Sequence, residues 1–524
     1  MVTDEECRSL LHAGSIIKPN PDISGIGVML AFLISAYVSF TAVLGAYISG
    51  MVEPELLASV DSRIMRIRSR VEKHPRIHRV LRQTVLAFSD QQIVTGIAIM
   101  IAGFVGLHKG DISVYHYQIV LYLAWLSSSV HLSALTLLRP YLNAHPGVKA
   151  WRLTGMLVLF LMLVIGLVPT VSYDWGIVSY SGTGSISVGK DQPTGWGMPA
   201  VCFWGKAYGD GVNNDAPIGY ILLVVSYLWK VGDLFAFTRS LYGSGVRRPL
   251  ERMIASALSK PARRYVQTRR RRWLWQFRML LVPTVPLIAF LELLASFSAS
   301  LWISVLGLVF GTVQVVVPRN QNYEQIASQE DEWGFGQLVP LVLLIQPLGA
   351  ISEHLYTGRR MNANAQANGD ALGENRTDAR DEPQVRSQPG ESKGPTTEAR
   401  TAASERLKVL IEILGRTERR QTLHEIGADA QRSLSDVLLS SRLLTVLVIL
   451  LHLTLLFGTV LILFLDVISI GILRGQNWQF ALLAIAFYVA ASWGTMLLFA
   501  PFSRLGRGIA EHREVFHEEG RERS

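Results

Sequence analysis

The chain has little cysteine, little charge and no catalytic signature. Cys7 and Cys202 are its only cysteines in 524 residues, which excludes a disulfide-dense scaffold and a zinc site built from several thiolates. Charged residues make up 17%, too few to solvate the surface of a soluble multidomain protein. HExxH, GxSxG, Walker and kinase signatures are absent. Gly182-Thr183-Gly184 lacks the third glycine and the strand–helix setting of a dinucleotide fold. No aspartate-rich DDxxD-type cluster, of the kind that holds Mg²⁺ on a prenyl diphosphate, lies in or beside an apolar run. We therefore expect no metal centre and no cofactor. Residues 1–19 lack the apolar core of a cleavable signal peptide, so the first apolar run is expected to act as a signal anchor.

What is abundant is apolar sequence, 49% of the chain with a mean hydropathy of +0.29, gathered in blocks. Crossing a hydrocarbon core of about 30 Å takes roughly 20 apolar residues in a helix. Blocks near that length fall at 25–50, 91–107, 115–138, 153–172, 218–237, 279–295, 301–317, 335–351, 443–465 and 480–500. The expected fold class is all-α, a polytopic transmembrane helix bundle of about nine or ten membrane segments. Block 335–351, with Pro340, Gln346, Pro347 and Gly349, reads as a crossing or a re-entrant element.

The net charge of +9 is lopsided. Arg63, Arg66, Arg68, Arg70, Lys73, Arg76, Arg79 and Arg82 follow the first block, and Arg247, Arg248, Arg252 and the run 269–272 follow the fifth. Basic loops mark the cytoplasmic face, so the N-terminus is expected outside or in a lumen. The partner of these loops is the anionic leaflet of the bilayer rather than nucleic acid. Alternating the crossings makes block 301–317 run from outside to inside. The domain reading is an outer segment 1–24 and a main bundle 25–356 with basic loops 51–88 and 239–277 and an outer loop 173–217. A disordered linker 357–404, an amphipathic interfacial region 405–440, two terminal spans 441–501 and a charged tail 502–524 complete it. Ile64, Ile67 and Val71 among arginines suggest another surface helix. Cys7 and Cys202 share the outer face and form a candidate disulfide, and Asn375 heads a candidate glycosylation sequon.

Ionisable groups inside spans are costly and are the first candidates for function. Glu292, in an otherwise apolar stretch, and His131, on a face with Tyr117, Ala124, Ser127 and Ser128, are candidate proton donor and acceptor. Interhelical hydrogen bonding is the plainer role for His131, and snorkelling toward the outer interface for Glu292. Asp90, Ser127, Ser128, Lys230 and Asp233 are candidates to line a binding site or pathway. Lys230 and Asp233 have the spacing of a self-neutralising pair. Asp90, beside a Ser89–Gln92 capping-box spacing, reads as part of a helix start. Glu330-Asp331-Glu332 could bind a divalent cation but reads more plainly as a solvated acidic cluster.

The strings NPDISGIGVMLAF (residues 20–32), FSDQQIVTGIAIMIAGF (88–104), YHYQIVLYLAWLSSSVHLSALTLLRPYL (115–142) and FGQLVPLVLLIQPL (335–348) resemble a group of multi-pass integral membrane proteins of filamentous ascomycete fungi. The resemblance covers the first two-thirds of the chain and implies no catalytic residues. Membrane terpene cyclases, which protonate an olefin or epoxide without a metal, supply an analogy. Three functions stay open: a membrane-embedded step on a small lipophilic metabolite, a transporter or channel, and a receptor or scaffold. Against transport, no internal repeat links the two halves.

Overall fold

The computed structural model describes residues 3–172, 175–176, 193–204, 215–268, 270–347, 349, 352, 442–463, 490–491 and 494. These are helical with short connections, and two isolated bridges, Ser15–Thr194 and Ser113–Pro199, are the only β pairing among them. In chain order the helices are α1 (Asp4–Ala13), α2 (Pro21–Ser24), α3 (Ile26–Ser49), α4 (Ser59–Arg63), α5 (Pro75–Lys109), α6 (Val114–Ala144), α7 (Pro146–Gly166) and α8 (Asp215–Leu234). They continue with α9 (Ala236–Leu241), α10 (Arg248–Thr268), α11 (Arg271–Leu294), α12 (Phe297–Gln321), α13 (Tyr323–Glu330), α14 (Phe335–Leu343) and α15 (Arg442–Leu463). Seven described helices are long and apolar enough to cross a membrane, corresponding to the first seven expected blocks. The protein is an all-α polytopic bundle.

Local chemistry sets the helix ends. Proline opens α5 and α7, where a missing N–H costs nothing. The Ser113 and Ser296 hydroxyls cap α6 and α12 by accepting from the N–H groups of His116 and Ala299. α3 and α5 stop at Gly50 and Gly110, both left-handed. α5 begins well before the apolar block at 91 because its basic first half continues the same helix. Hydropathy marks the lipid-facing length, not the helix end.

The chain divides into two compact units, one of Met1–Ser240, Glu292–Ile351 and Val448–Ala490, the other of Leu241–Leu291, Ser352–Leu447 and Ala491–Ser524. In the first, α6 is the axis. Its apolar window is 94% buried, against half or less for the other spans, and α3, α5, α7, α8 and α12 all pack on it. Close approach needs small residues. A Cβ added at Gly103 would sit 2.6 Å from Val120, and one at Gly311 2.7 Å from the Trp125 ring. In the second unit, α10 and α11 carry internal prolines at Pro261, Pro283 and Pro286. The guanidinium groups of Arg264 and Arg272 lie over the Trp273 ring.

Side-chain pairs fix the direction of each helix. Along α6 and α12, Thr136 meets Ser300, Trp125 meets Gly307 and Gln118 meets Gln314, so the two are antiparallel. Tyr47 of α3 stacks on Phe297, and Arg319 reaches back to the Ser24 carbonyl. Helices α3, α6 and α8 therefore run one way and α5, α7 and α12 the other. This reverses the direction expected for block 301–317. The loop after α12 lies at the same end as the N-terminus, and α12 begins at the end holding Asp61. The sequence misled because loop 318–332 is acidic, and acidic residues carry little orientation signal.

The stretch after α4 is also not the surface helix suggested by Ile64, Ile67 and Val71, because it runs in bends and turns. Its arginines are held against the end of α3. The linker 357–404, the region 405–440, Asn375 and most of the chain after Leu463 lie outside the described residues.

Candidate functional site

At the N-terminal end, Glu330 is fully buried. It accepts from the Tyr115 hydroxyl (3.2 Å), an Arg319 Nη (3.2 Å) and the Asn20 N–H (3.2 Å), and lies 3.1 Å from His116 Nε2. Arg319 also holds Asp331 at 2.5 Å. The Gln337 amide accepts from the Gly27 N–H and donates to the Glu330 and Glu332 carbonyls, tying α14 to the start of α3. Cys7 and Cys202 are joined in a disulfide with a Cα–Cα distance of 5.4 Å. The acidic triplet read as solvated is thus partly a core group. A lone acidic run in the sequence does not reveal that Arg319, eleven positions earlier, turns back to meet it.

At the opposite end, the buried Asp61 carboxylate accepts from the Tyr47 hydroxyl (2.8 Å) and the N–H groups of Phe297 (2.9 Å), Ser298 (3.2 Å) and Ala58 (2.9 Å). It supplies the anion that the exposed donors at the start of α12 attract. Glu292 is buried shortly before this cap, at the end of this unit opposite the N-terminus.

Between the two ends runs a polar seam centred on α6. Ser127 donates to Gln92 Oε1 (2.6 Å), whose amide nitrogen donates to Ser35 (2.5 Å). Ser128 donates to the Tyr227 hydroxyl (2.8 Å). Lys230, buried, has four oxygens within reach of its three N–H donors: Thr136 Oγ1 (2.6 Å), the Ser300 carbonyl (2.7 Å), Ser300 Oγ (2.5 Å) and Ser304 Oγ (3.1 Å). Asp233 is taken by Arg139, which also donates to the Glu55 carbonyl. The expected Lys230–Asp233 self-pairing is therefore replaced by two separate arrangements, since the inward-facing lysine finds hydroxyls on α6 and α12 before it finds its own helix's aspartate. Asp90 is mid-helix in α5, not at a helix start, and pairs with the buried Arg152 of α7 at 2.5 Å.

Beside Lys230 is a cavity of about 10 Å³, the room one water needs, lined among others by Trp125, Ser128, Ser129, Ser226 and Ser304. Its walls offer hydroxyls and one ammonium, and no carboxylate. His131 lies on α6, 1% exposed, and neither ring nitrogen has a hydrogen-bond partner among the described residues. The structure thus places Lys230 and Ser128 around one cavity. Ser127, Asp90 and Asp233 lie in other contacts, and no hydrogen bond joins His131 to Glu292 among the described residues. Tyr227, Thr136 and Ser300 were missed. A hydroxyl in an apolar run is ambiguous until its neighbouring helix is known. Among the described residues no three histidine, cysteine, aspartate or glutamate side chains gather in a way that could hold a metal.

The fold defines a multi-pass membrane protein with a hydroxyl-rich seam around the buried Lys230. Over 123 residues the chain is 41% identical to the Elsinochromes biosynthesis cluster protein HP3 of Elsinoe fawcettii, covering 24% of this chain and 48% of that protein. Over 388 residues it is 23% identical to the Elsinochromes biosynthesis cluster protein HP2 of the same fungus, covering 67% of this chain and 96% of that protein. The chain thus spans about half the length of the first relative and nearly all of the second. No family model matches the chain, and no solved structure does.

Proposed function

We propose that the protein carries out a membrane-embedded step on a small lipophilic metabolite in a fungal biosynthetic pathway, with the Lys230 seam as its site. The carrying observation is Lys230 itself. An ammonium inside a bilayer that is held by neutral oxygens, with the nearby aspartate committed elsewhere, keeps its charge available for the oxygen-bearing end of a guest. It anchors a developing oxyanion there or gives it a proton. The names of the two relatives support the pathway setting. Glu292 and His131 remain candidate proton carriers in the same interior. A second reading, passage of a small molecule, is favoured by the continuity of hydroxyls from Ser127 to Ser304. In the state described, the cavity admits only a water, so either reading requires the α6–α8–α12 contact to open.

In the same proposal the N-terminus and the disulfide face the outside or a lumen, and the basic loops face the cytoplasm. A disulfide suits an oxidising compartment, and the lysine and arginine bias points the same way.

The test is Lys230→Gln, with Lys230→Arg as control, in the native fungus. We expect loss of the pathway product and accumulation of one lipophilic intermediate at unchanged protein level. An unchanged metabolite profile at normal protein level overturns the reading. Flux without conversion in proteoliposomes moves it to transport.

A further inference from the structure

The segment after α4 folds back onto the end of α3. Arg70 donates its N–H to the Gly50 carbonyl (2.7 Å), and the Arg68 carbonyl lies so close over Gly50 that a Cβ there would be 2.3 Å from it. Gly50 is left-handed as well, at φ 74°, so no other residue fits this closure without strain. Arg66, at φ 58°, is the only non-glycine residue with positive φ among the described residues. A bulky side chain held in that region marks a backbone determined by its surroundings.

The result is a recess of about 340 Å³ whose rim carries Arg66, Arg68, Arg70 and Lys73, with Ser49 and Ser69 between them. No carboxylate lines it, and none of the four cations forms an ion pair among the described residues. The negative end of the α3 dipole draws cations here, but it amounts to roughly half an elementary charge against four. Gathering so many like charges around one concavity leaves an uncompensated positive field. The recess also sits at a membrane boundary. Ile48 on its edge is 66% exposed, and Trp151, at the same end of the bundle in the first turns of α7, is 67% exposed. Exposed tryptophan at a helix end is an interfacial anchor.

The geometry points to a binding site for a phosphomonoester, an anion of nearly two charges presented at the headgroup level. This deepens the reading of the basic loops as leaflet-facing. It is independent of the Lys230 site. The planar guanidinium of arginine pairs two N–H donors with two oxygens of a phosphate, and a recess supplies the enclosure that a flat basic loop lacks. A lipid headgroup and a soluble phosphate compound share this chemistry.

The test uses the full-length protein in nanodiscs, with bound lipid read by native mass spectrometry. Phosphatidic acid is compared with phosphatidylserine, which has negative charge but no phosphomonoester. We expect at least tenfold preference for phosphatidic acid, and its loss in Arg66→Gln/Arg68→Gln/Arg70→Gln. A variant with the same charge change at exposed sites outside the recess, Arg79→Gln/Arg239→Gln/Arg270→Gln, should retain the preference. Unchanged circular dichroism and thermal midpoint show that the recess variant is folded. As a second arm, Gly50→Ala keeps every arginine yet should weaken binding by disturbing the closure. Competition by millimolar inorganic phosphate assigns the site to soluble phosphate compounds, and resistance to it assigns the lipid; both support phosphomonoester recognition. No discrimination between the two lipids, or equal loss in both triple variants, overturns the proposal.

Discussion

Replacing Glu330 by glutamine tests whether the N-terminal end is held as the structure shows. The carboxylate is fully buried and takes hydrogen bonds from Tyr115, Arg319 and the Asn20 N–H, with His116 also in reach. Removing one member of a buried ion pair costs about 3–5 kcal/mol, because the remaining charge is stranded. Arg319 is only partly stranded here, since Asp331 at 2.5 Å and the Ser24 carbonyl at 2.7 Å still hold it. The glutamine amide keeps one acceptor but points two donors at donors. The expectation is therefore the lower end, about 3 kcal/mol. Equilibrium unfolding in mixed micelles would measure it, and a cycle with Arg319→Met should give a coupling of about 2 kcal/mol. A loss under about 0.5 kcal/mol, or additive effects of the two changes, would refute the buried pair.

Cysteines introduced at Glu5 and Tyr323 should label from one face of sealed vesicles and one at Ser62 from the other, and labelling of 323 together with 62 would overturn the direction assigned to α12. Breaking the disulfide with Cys202→Ser, across a separation of 195 residues, should lower stability by up to about 5 kcal/mol in the chain-entropy account. A thermal midpoint insensitive to both the change and reductant would contradict it. Glu6 has its carboxyl held below the ordinary 4.5, mainly by the Thr3 backbone N–H and then by the Thr3 hydroxyl. Because the folded value is depressed, the stabilisation of α1 is present above 4.5 and fades as pH falls through the folded value. Amide exchange in α1 should show this loss, and Thr3→Ala, which keeps the backbone donor and removes only the hydroxyl, should reduce it without abolishing it. His131→Leu should raise stability by about 1 kcal/mol, since two buried ring nitrogens lacking partners give way to an apolar side chain; destabilisation of similar size would mean the ring is structurally held.

The sequence made the seven apolar helices legible because lipid imposes a length and a composition together. It also placed Cys7 and Cys202 on a common face. What it hid were matters of pairing. Asp90 looked like a cap because Ser89 and Gln92 carry that spacing, yet α5 had begun at Pro75 and the true partner is Arg152 on α7. Lys230 and Asp233 looked like each other's partner because the i, i+3 rule concerns one helix in isolation. In the bundle, Lys230 faces Thr136 and Ser300, and Arg139 claims Asp233. The direction of α12 was illegible for a related reason. Loop charge reports orientation only where lysine and arginine are numerous, and loop 318–332 offers one arginine, which is buried with Glu330.

The position of α6 follows from the same physics. Apolar side chains gain nothing by leaving lipid for another helix, so hydrophobicity does not select the centre of a membrane bundle. Hydroxyls, amides and small surfaces do. Around α6, Ser127 is bonded to Gln92 of α5, Ser128 to Tyr227 of α8, Tyr117 to the Gly166 carbonyl of α7 and Trp125 to the Gly307 carbonyl of α12. Each polar side chain thus specifies a different neighbour, and an error in assembly leaves a donor without an acceptor in hydrocarbon. Lys230 fits the scheme because it closes the α6–α8–α12 contact. It exceeds the scheme because a serine or threonine there would close the same contact without bringing a charge. An ionisable group inside a membrane bundle, where a hydroxyl would close the same contact, is the physical ground for seeking function at Lys230 before any other residue of the seam.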